Sequence, residues 1–106
     1  MYSFVYVTTK NMDEAKNIAE FLLKKKLIAC ANIFQVKSMY RWKGKIEKEN
    51  EYAMILKTRK NLVKIIIKEV RAKHSYDVPC IVSFDMKDGN KDFLEWIKSE
   101  TDTQTK

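Results

Sequence analysis

Hydrophobic and polar positions alternate along the chain in a pattern that predicts seven secondary-structure elements. Residues 2–9, YSFVYVTT, are β-branched and aromatic throughout, which predicts a central strand covered on both faces. After Asn11, apolar residues recur at helical spacing as far as the lysines at 24–26. This pattern predicts a first helix, with Asn11 as its N-cap and Glu14 completing a capping box.

The second half of the chain repeats this alternation of strand and helix. Apolar residues at helical spacing predict a second helix, capped by Thr58 or Asn61, with a buried stripe drawn from Leu62, Ile65, Ile66 and Val70. Residues 80–86 then predict a strand that Pro79 begins, since proline lacks the N–H that a strand interior needs. Asn90 opens a third helix, whose apolar positions are Phe93, Leu94, Trp96 and Ile97.

Residues 27–58 predict an unusually long β-hairpin. Its first strand alternates with period two and places Tyr40 and Trp42 on one side, and Gly44 supplies the turn. This hairpin is much longer than the usual pair of strands of about five or six residues each. We therefore expect Tyr40, Trp42 and Ile46, which lie near its tip, to be exposed unless another subunit covers them.

The element order β-α-β-β-α-β-α favours one fold class. One hairpin and two crossovers, with the right-handed crossover rule, predict an α+β, ferredoxin-like βαββαβ sandwich with an extra C-terminal helix. The helices should cover one face of the sheet and leave the other open or available for assembly. A chain of 106 residues suits one domain, so we assign residues 1–106 to it and predict a frayed tail at 99–106.

Charge and composition narrow the function classes. The net charge is +7, and residues 1–60 hold 13 Lys/Arg against 6 Asp/Glu. A basic half suits nucleic acid or anionic metabolites, although a solvated lysine-rich surface is the simpler interpretation. No apolar run has the roughly 18 residues that a membrane span requires. No signal-peptide pattern opens the chain, so we expect a cytoplasmic protein whose two cysteines are free thiols.

The stretch KHSYDVPC at 73–80 carries the strongest chemical signal, because it holds the single histidine of the chain. A neutral imidazole on His74 suits copper or zinc, Cys30 could add a thiolate, and Asp77 is a candidate third ligand. The competing interpretation is that His74 simply ends the second helix. No nucleophile elbow or phosphate-binding glycine loop is present, so we do not expect an enzyme.

Five motifs in order resemble one family. They are LIACANI (27–33), SMYRWKGKIE (38–47), AMILKTR (53–59), HSYDVP (74–79) and GNKDFLEWI (89–97), and together they are similar to the divalent-cation tolerance (CutA) family. The resemblance implies a ferredoxin-like protomer in a tight homotrimer, locked by the long hairpin and the C-terminal segment. It also implies binding of divalent metal, copper above all, in metal-ion tolerance, with no established enzymatic reaction.

The sequence departs from the family pattern in two places. Ser75 and Asp77 stand where members often have proline and glutamate, and FQVK at 34–37 lacks a Pro-Gly seen in many members. Neither change threatens the predicted fold. The first bears on the position of any ligand near His74.

Two other functions remain open at this point. One is a trimeric signalling module like the PII proteins, which would bind an anionic small molecule between subunits through Lys10, Lys57 and Arg59. The other is a nucleic-acid-binding module in which Tyr40 and Trp42 stack on bases. The aromatic signature of RNA-recognition domains is absent from the predicted third strand, which favours a role for these two side chains between subunits.

Overall fold

The computed structural model describes residues 1–102 and arranges them as a four-stranded antiparallel sheet with three α-helices. The strands are β1 (Tyr2–Thr9), β2 (Cys30–Trp42), β3 (Lys45–Arg59) and β4 (Ile81–Asp85). The helices are α1 (Met12–Lys24), α2 (Val63–Lys73) and α3 (Lys91–Glu100), and a 3-10 turn at Lys60–Leu62 precedes α2. The strand order is β2-β3-β1-β4. The predicted α+β class and element order are confirmed.

The central strand β1 is covered on one face and not on both. Val5 and Val7 are fully buried, whereas Phe4 and Tyr6 between them keep part of their surface. The helix-side core joins β1 and β3 to α1 and α2 through residues that include Val5, Val7, Ala15, Ile18, Leu22, Met54, Leu56, Ile66 and Val70. The prediction of a fully covered strand was wrong for the chain by itself, because this core lies on one side of the sheet only.

Helix α1 begins as predicted, with one difference in the cap. The Asn11 side chain accepts the Glu14 N–H at 2.8 Å. The Glu14 carboxylate accepts the N–H of Lys10 instead of that of Asn11, at 3.0 Å. The capping box is therefore displaced by one residue, and it fixes the exit of β1 as well as the start of the helix.

Helix α2 starts without a side-chain cap, so the prediction that Thr58 or Asn61 caps it was wrong. The Thr58 hydroxyl donates instead to the carbonyl of Leu27 at 2.6 Å, and Asn61 lies within the 3-10 turn. The buried positions of α2 are Val63, Ile66 and Val70. Ile65, predicted for the buried stripe, keeps 45% of its surface exposed.

The hairpin protrudes from the rest of the sheet. β2 and β3 pair from Cys30↔Lys57 to Trp42↔Lys45, whereas β1 reaches along β3 only as far as Tyr52. Residues 45–51 of β3 consequently pair on one side alone. The exposure expected near the tip is confirmed: Tyr40, Trp42 and Ile46 are 39%, 40% and 63% exposed.

Helix α3 is fastened to the end of β3. The Arg59 guanidinium donates to the Thr101 hydroxyl at 3.0 Å and to the Thr101 carbonyl at 2.8 Å. Thr101 is fully buried, and α3 extends to Glu100, so the predicted fraying does not begin at residue 99. Residues 103–106 of that predicted tail lie outside the described residues.

Candidate functional site

A cleft of about 880 Å³ lies between the hairpin and the segment that follows α2. We call it the hairpin cleft. Its walls are formed by the outer parts of β2 and β3 on one side and by residues 75–80 on the other. The lining residues that bear on its chemistry are Met39, Tyr40, Trp42, Glu47, Glu49, Glu51, Tyr76, Asp77 and Cys80.

Three carboxylates reach the cleft because they occupy alternate positions of one strand. Glu47, Glu49 and Glu51 therefore project from the same face of β3, about 7 Å apart from one to the next. Tyr40 lies directly opposite Glu47 across the strand pair. Glu51 is 6% exposed, and its carboxylate accepts the Tyr76 hydroxyl at 2.6 Å.

The cleft is acidic although the protein as a whole is basic. The described lining residues include three glutamates and Asp77, and Lys37 is the one lysine or arginine among them. Burial and then the hydrogen bond to Glu51 raise the pKa of Tyr76. Burial and the charge of Glu51 likewise raise the pKa of the Cys80 thiol, so a metal that bound Cys80 would have to displace its proton.

His74 lies beside the cleft with its side chain fully buried. Its Nε2 atom is 2.7 Å from the Thr8 carbonyl oxygen, which can only accept, so Nε2 carries the proton. Its Nδ1 atom accepts the Tyr76 backbone N–H at 3.1 Å. This geometry assigns the neutral Nε2–H tautomer and leaves neither nitrogen with a lone pair for a metal.

Glu14 joins this arrangement from α1. One carboxylate oxygen accepts the Lys10 N–H at 3.0 Å, and the other accepts the Ser75 N–H at 2.8 Å. Burial alone would raise the pKa of Glu14, but these hydrogen bonds outweigh it and hold the pKa below its ordinary value. The side chain is 10% exposed, so its charge is held by protein donors.

The three predicted metal ligands do not meet within one protomer. Cys30 lies opposite Lys57 on β3, and Lys57 lies opposite Phe4 on β1. The carbonyl that His74 contacts belongs to Thr8, four residues further along β1. That offset corresponds to about 13 Å. Asp77 lines the hairpin cleft and is exposed. Among residues 1–102, no group of three or more His, Cys, Asp or Glu side chains could hold a metal ion.

The residues of the predicted anion cleft are also separated in the protomer. Lys10 follows the end of β1 that pairs with Tyr52, whereas Arg59 pairs with Tyr2 at the opposite end. Arg59 donates to Thr101, and the ammonium of Lys57 lies 5.5 Å from the centre of the Phe93 ring. An anion cleft between subunits stays a prediction.

Sequence reasoning missed most of the residues that line the cleft. The available signal was the period-two spacing of Glu47, Glu49 and Glu51 in the hairpin. Cys80 is exposed and lines the cleft, although it follows the proline that was expected to begin a strand. Tyr40 and Trp42 do line the cleft. Ile46 stands at an even position of β3, on the opposite face from Glu47 and Glu49.

Comparison with known proteins identifies the family. The model of the family described as CutA1 divalent ion tolerance protein matches residues 3–100. The chain belongs to the CutA1 family. This is a family of tolerance proteins and not of enzymes, in agreement with the sequence-based expectation.

Individual CutA proteins resemble the chain over almost its whole length. The divalent-cation tolerance protein CutA of Archaeoglobus fulgidus is 48% identical over 97 residues, which are 92% of this chain and 95% of that one. A solved structure of the periplasmic CutA of that organism has a TM-score of 0.94 at 46% identity and covers 95% of this chain and 99% of its own. CutA1 of Pyrococcus horikoshii has a TM-score of 0.91 at 39% identity, covering 93% and 97%.

The names of CutA relatives place them in different compartments. The Archaeoglobus fulgidus structure is of a periplasmic protein, and a rice relative, 40% identical over 98 residues (92% of this chain and 55% of that one), is named as chloroplastic. Within residues 1–102, no helix is both long and apolar enough to cross a membrane.

Proposed function

We propose that this CutA1-family protein acts in divalent-cation tolerance as a homotrimer that binds the cation, copper first of all, at the hairpin cleft. The observation that carries this proposal is the collection of Glu47, Glu49, Glu51 and Asp77 around one cleft of a protein whose net charge is +7. Carboxylates concentrated in this way attract cations. The cytoplasm is the location we propose for this activity.

A sulfur donor of the cleft supports copper over harder cations. Cys80 lines the same cleft and supplies a thiol. A soft thiolate favours Cu(I), whereas carboxylates alone would suit magnesium, calcium or manganese. Cys80 therefore takes the place that sequence reasoning gave to Cys30.

The proposal includes a homotrimer because one protomer does not complete a metal site. The described residues of a single chain bring no three candidate ligands together, so donors from more than one copy are needed. The sheet face turned away from α1 and α2, which we call the open face, supports assembly. It carries Phe34, Val82 and Phe84, which are 39%, 45% and 50% exposed, and apolar surface of this kind is usually covered by a partner.

A matched pair of variants tests the role of the cleft. Glu49→Gln removes one charge from the cleft, and Glu20→Gln removes one from the exposed surface of α1. Calorimetric titration of Cu²⁺ into metal-free protein under anaerobic conditions should show weaker binding for Glu49→Gln by at least about tenfold. Glu20→Gln should bind like the wild type. Absence of binding by the wild type, or equal affinities for both variants, would refute the proposal.

A second pair tests the sulfur donor. Cys80→Ser should lose Cu⁺ to a chromophoric chelator at a lower chelator concentration than the wild type, because the thiolate is a strong ligand of Cu⁺. Cys30→Ser should compete like the wild type, since Cys30 lies at the far end of β2 from the hairpin tip. The opposite ranking of the two variants would move the site to Cys30.

A further inference from the structure

The loop that begins at His74 is tied to three separate elements. The Ser75 N–H donates to Glu14 on α1 at 2.8 Å. The His74 ring donates to the Thr8 carbonyl on β1 at 2.7 Å. The Tyr76 hydroxyl donates to Glu51 on β3 at 2.6 Å. These bonds hold the loop against the sheet at the point where it forms one wall of the hairpin cleft.

The imidazole of His74 links the hydrogen bond to β1 with the residue that makes the hydrogen bond to β3. While Nε2 donates to β1, Nδ1 accepts the backbone N–H of Tyr76 at 3.1 Å. The His74 and Tyr76 rings also lie together, with centroids 4.8 Å apart. The ring of His74 therefore fixes the backbone and the ring of Tyr76, and Tyr76 in turn reaches the carboxylate of Glu51.

Glu51 is the cleft carboxylate that the contacts of His74 and Tyr76 hold in place. It is 6% exposed, and one of its oxygens accepts the short hydrogen bond from Tyr76. A charge buried this deeply needs such a donor, because removing the donor would leave part of the carboxylate without a partner. Partners that hydrogen-bond to a ligating carboxylate orient it, and their loss commonly weakens binding by about 10–100-fold.

We propose that His74 is a positioning residue of the hairpin cleft and not a ligand. Its neutral imidazole fixes Tyr76, so that the Tyr76 hydroxyl holds the Glu51 carboxylate in the orientation that receives a cation. This role rests on the proposed function, since it requires that the cleft bind the cation. It assigns to the histidine of KHSYDVPC a function that acts through two other residues.

The tautomer of His74 gives the first test. Nitrogen-15 spectra of the full-length protein should show a neutral ring protonated at Nε2, measured before any metal is added. Saturation with Zn²⁺, which is diamagnetic, should leave both ring nitrogens within the range of the metal-free protein. A proton on Nδ1, or a large shift of either nitrogen with bound Zn²⁺, would overturn the proposal.

Three variants separate positioning from ligation. His74→Asn keeps an acceptor near the position of Nδ1, His74→Ala removes both ring bonds, and Tyr76→Phe removes only the hydroxyl. We expect Cu²⁺ affinity to fall about tenfold in His74→Ala and in Tyr76→Phe, and His74→Asn to restore much of the loss. The double variant His74→Ala/Tyr76→Phe should lose no more than about twofold beyond either single change, because both act through Glu51.

The outcomes distinguish the two proposals. Additive losses in the double variant, or a His74→Asn protein as weak as His74→Ala, would show that His74 does not act through Tyr76. Failure of the wild type to bind Cu²⁺ or Zn²⁺ would overturn the proposed function and the positioning role with it. If a variant does not fold, the nitrogen-15 measurement on the wild type still decides whether His74 is a ligand.

Discussion

At the scale of single residues, Glu14 shows how one side chain connects parts of the chain that are distant in sequence. It accepts backbone N–H groups from Lys10 and from Ser75, 61 residues further along. Hydrogen bonds to an ionised carboxylate are about twice as strong as those between neutral groups. They stabilise the charged form, which is why the pKa of Glu14 is lowered in spite of its burial.

This lowered pKa predicts how stability depends on pH. The contribution of Glu14 is complete above its ordinary pKa of 4.5 and is lost as the pH falls through the lower value of the folded state. Glu14→Gln should be less stable than the wild type at pH 7 by roughly 1–3 kcal/mol. Guanidinium denaturation at equal protein concentration should show this difference shrinking below pH 4.5. Glu20→Gln serves as the control, and a difference that grows in acid would contradict the assignment.

At the scale of elements, the hairpin depends on the conformation of its two turn residues. Lys43 and Gly44 have φ angles of 52° and 79°, and positive values at both positions define a type I′ turn. The twist of this turn matches that of the strands it joins, so thirteen residue pairs follow in register from Cys30↔Lys57 to Trp42↔Lys45.

Substitutions in the turn should change stability in opposite directions. A Cβ atom on Gly44 would meet no atom within 4 Å, so Gly44→Ala should cost only the backbone strain of a left-handed conformation, about 1–2 kcal/mol. Lys43→Asn should raise stability by a few tenths of a kcal/mol, roughly, because asparagine tolerates positive φ. Thermal denaturation at fixed concentration measures both. A Gly44→Ala protein as stable as the wild type would show that the turn adopts another geometry.

At the scale of the whole molecule, the open face is the part that the single chain leaves incomplete. Its apolar residues include Phe4 and Phe84, whose rings stack with their centroids 5.4 Å apart. The hairpin extends from the same sheet and gives the protomer its elongated shape of 47 × 28 × 20 Å. Both features agree with the proposed trimer, in which copies of the chain would cover the exposed apolar groups.

A pair of variants on opposite faces tests this assembly. Phe84 on the open face is 50% exposed and Ile65 on α2 is 45% exposed. A glutamate at either position would therefore be similarly exposed to solvent in the single chain. Phe84→Glu should shift the mass measured by sedimentation velocity from trimer to monomer, because burying an unpaired charge between subunits is costly. Ile65→Glu should remain trimeric. A monomeric wild type, or a trimer unaffected by Phe84→Glu, would rule out the open face as the interface.

The sequence by itself determined the order of the elements, the alternation along the hairpin and the first helix with its Asn11 cap. Local periodicity and capping chemistry specify these features, because each depends on neighbours a few residues away. The five motifs also identified the family, which the comparisons confirmed.

Only the tertiary structure decided the hydrogen bonds of His74 and which residues line the cleft. Tyr76 meets Glu51 across 25 residues, and the His74 ring meets Thr8 across 66 residues, so neither contact has a signal in local spacing. The sequence offered His74 and Cys30 as metal ligands. The strand register separates them, and the two hydrogen bonds of the imidazole occupy both its nitrogens, because these depend on how distant strands and loops pack together.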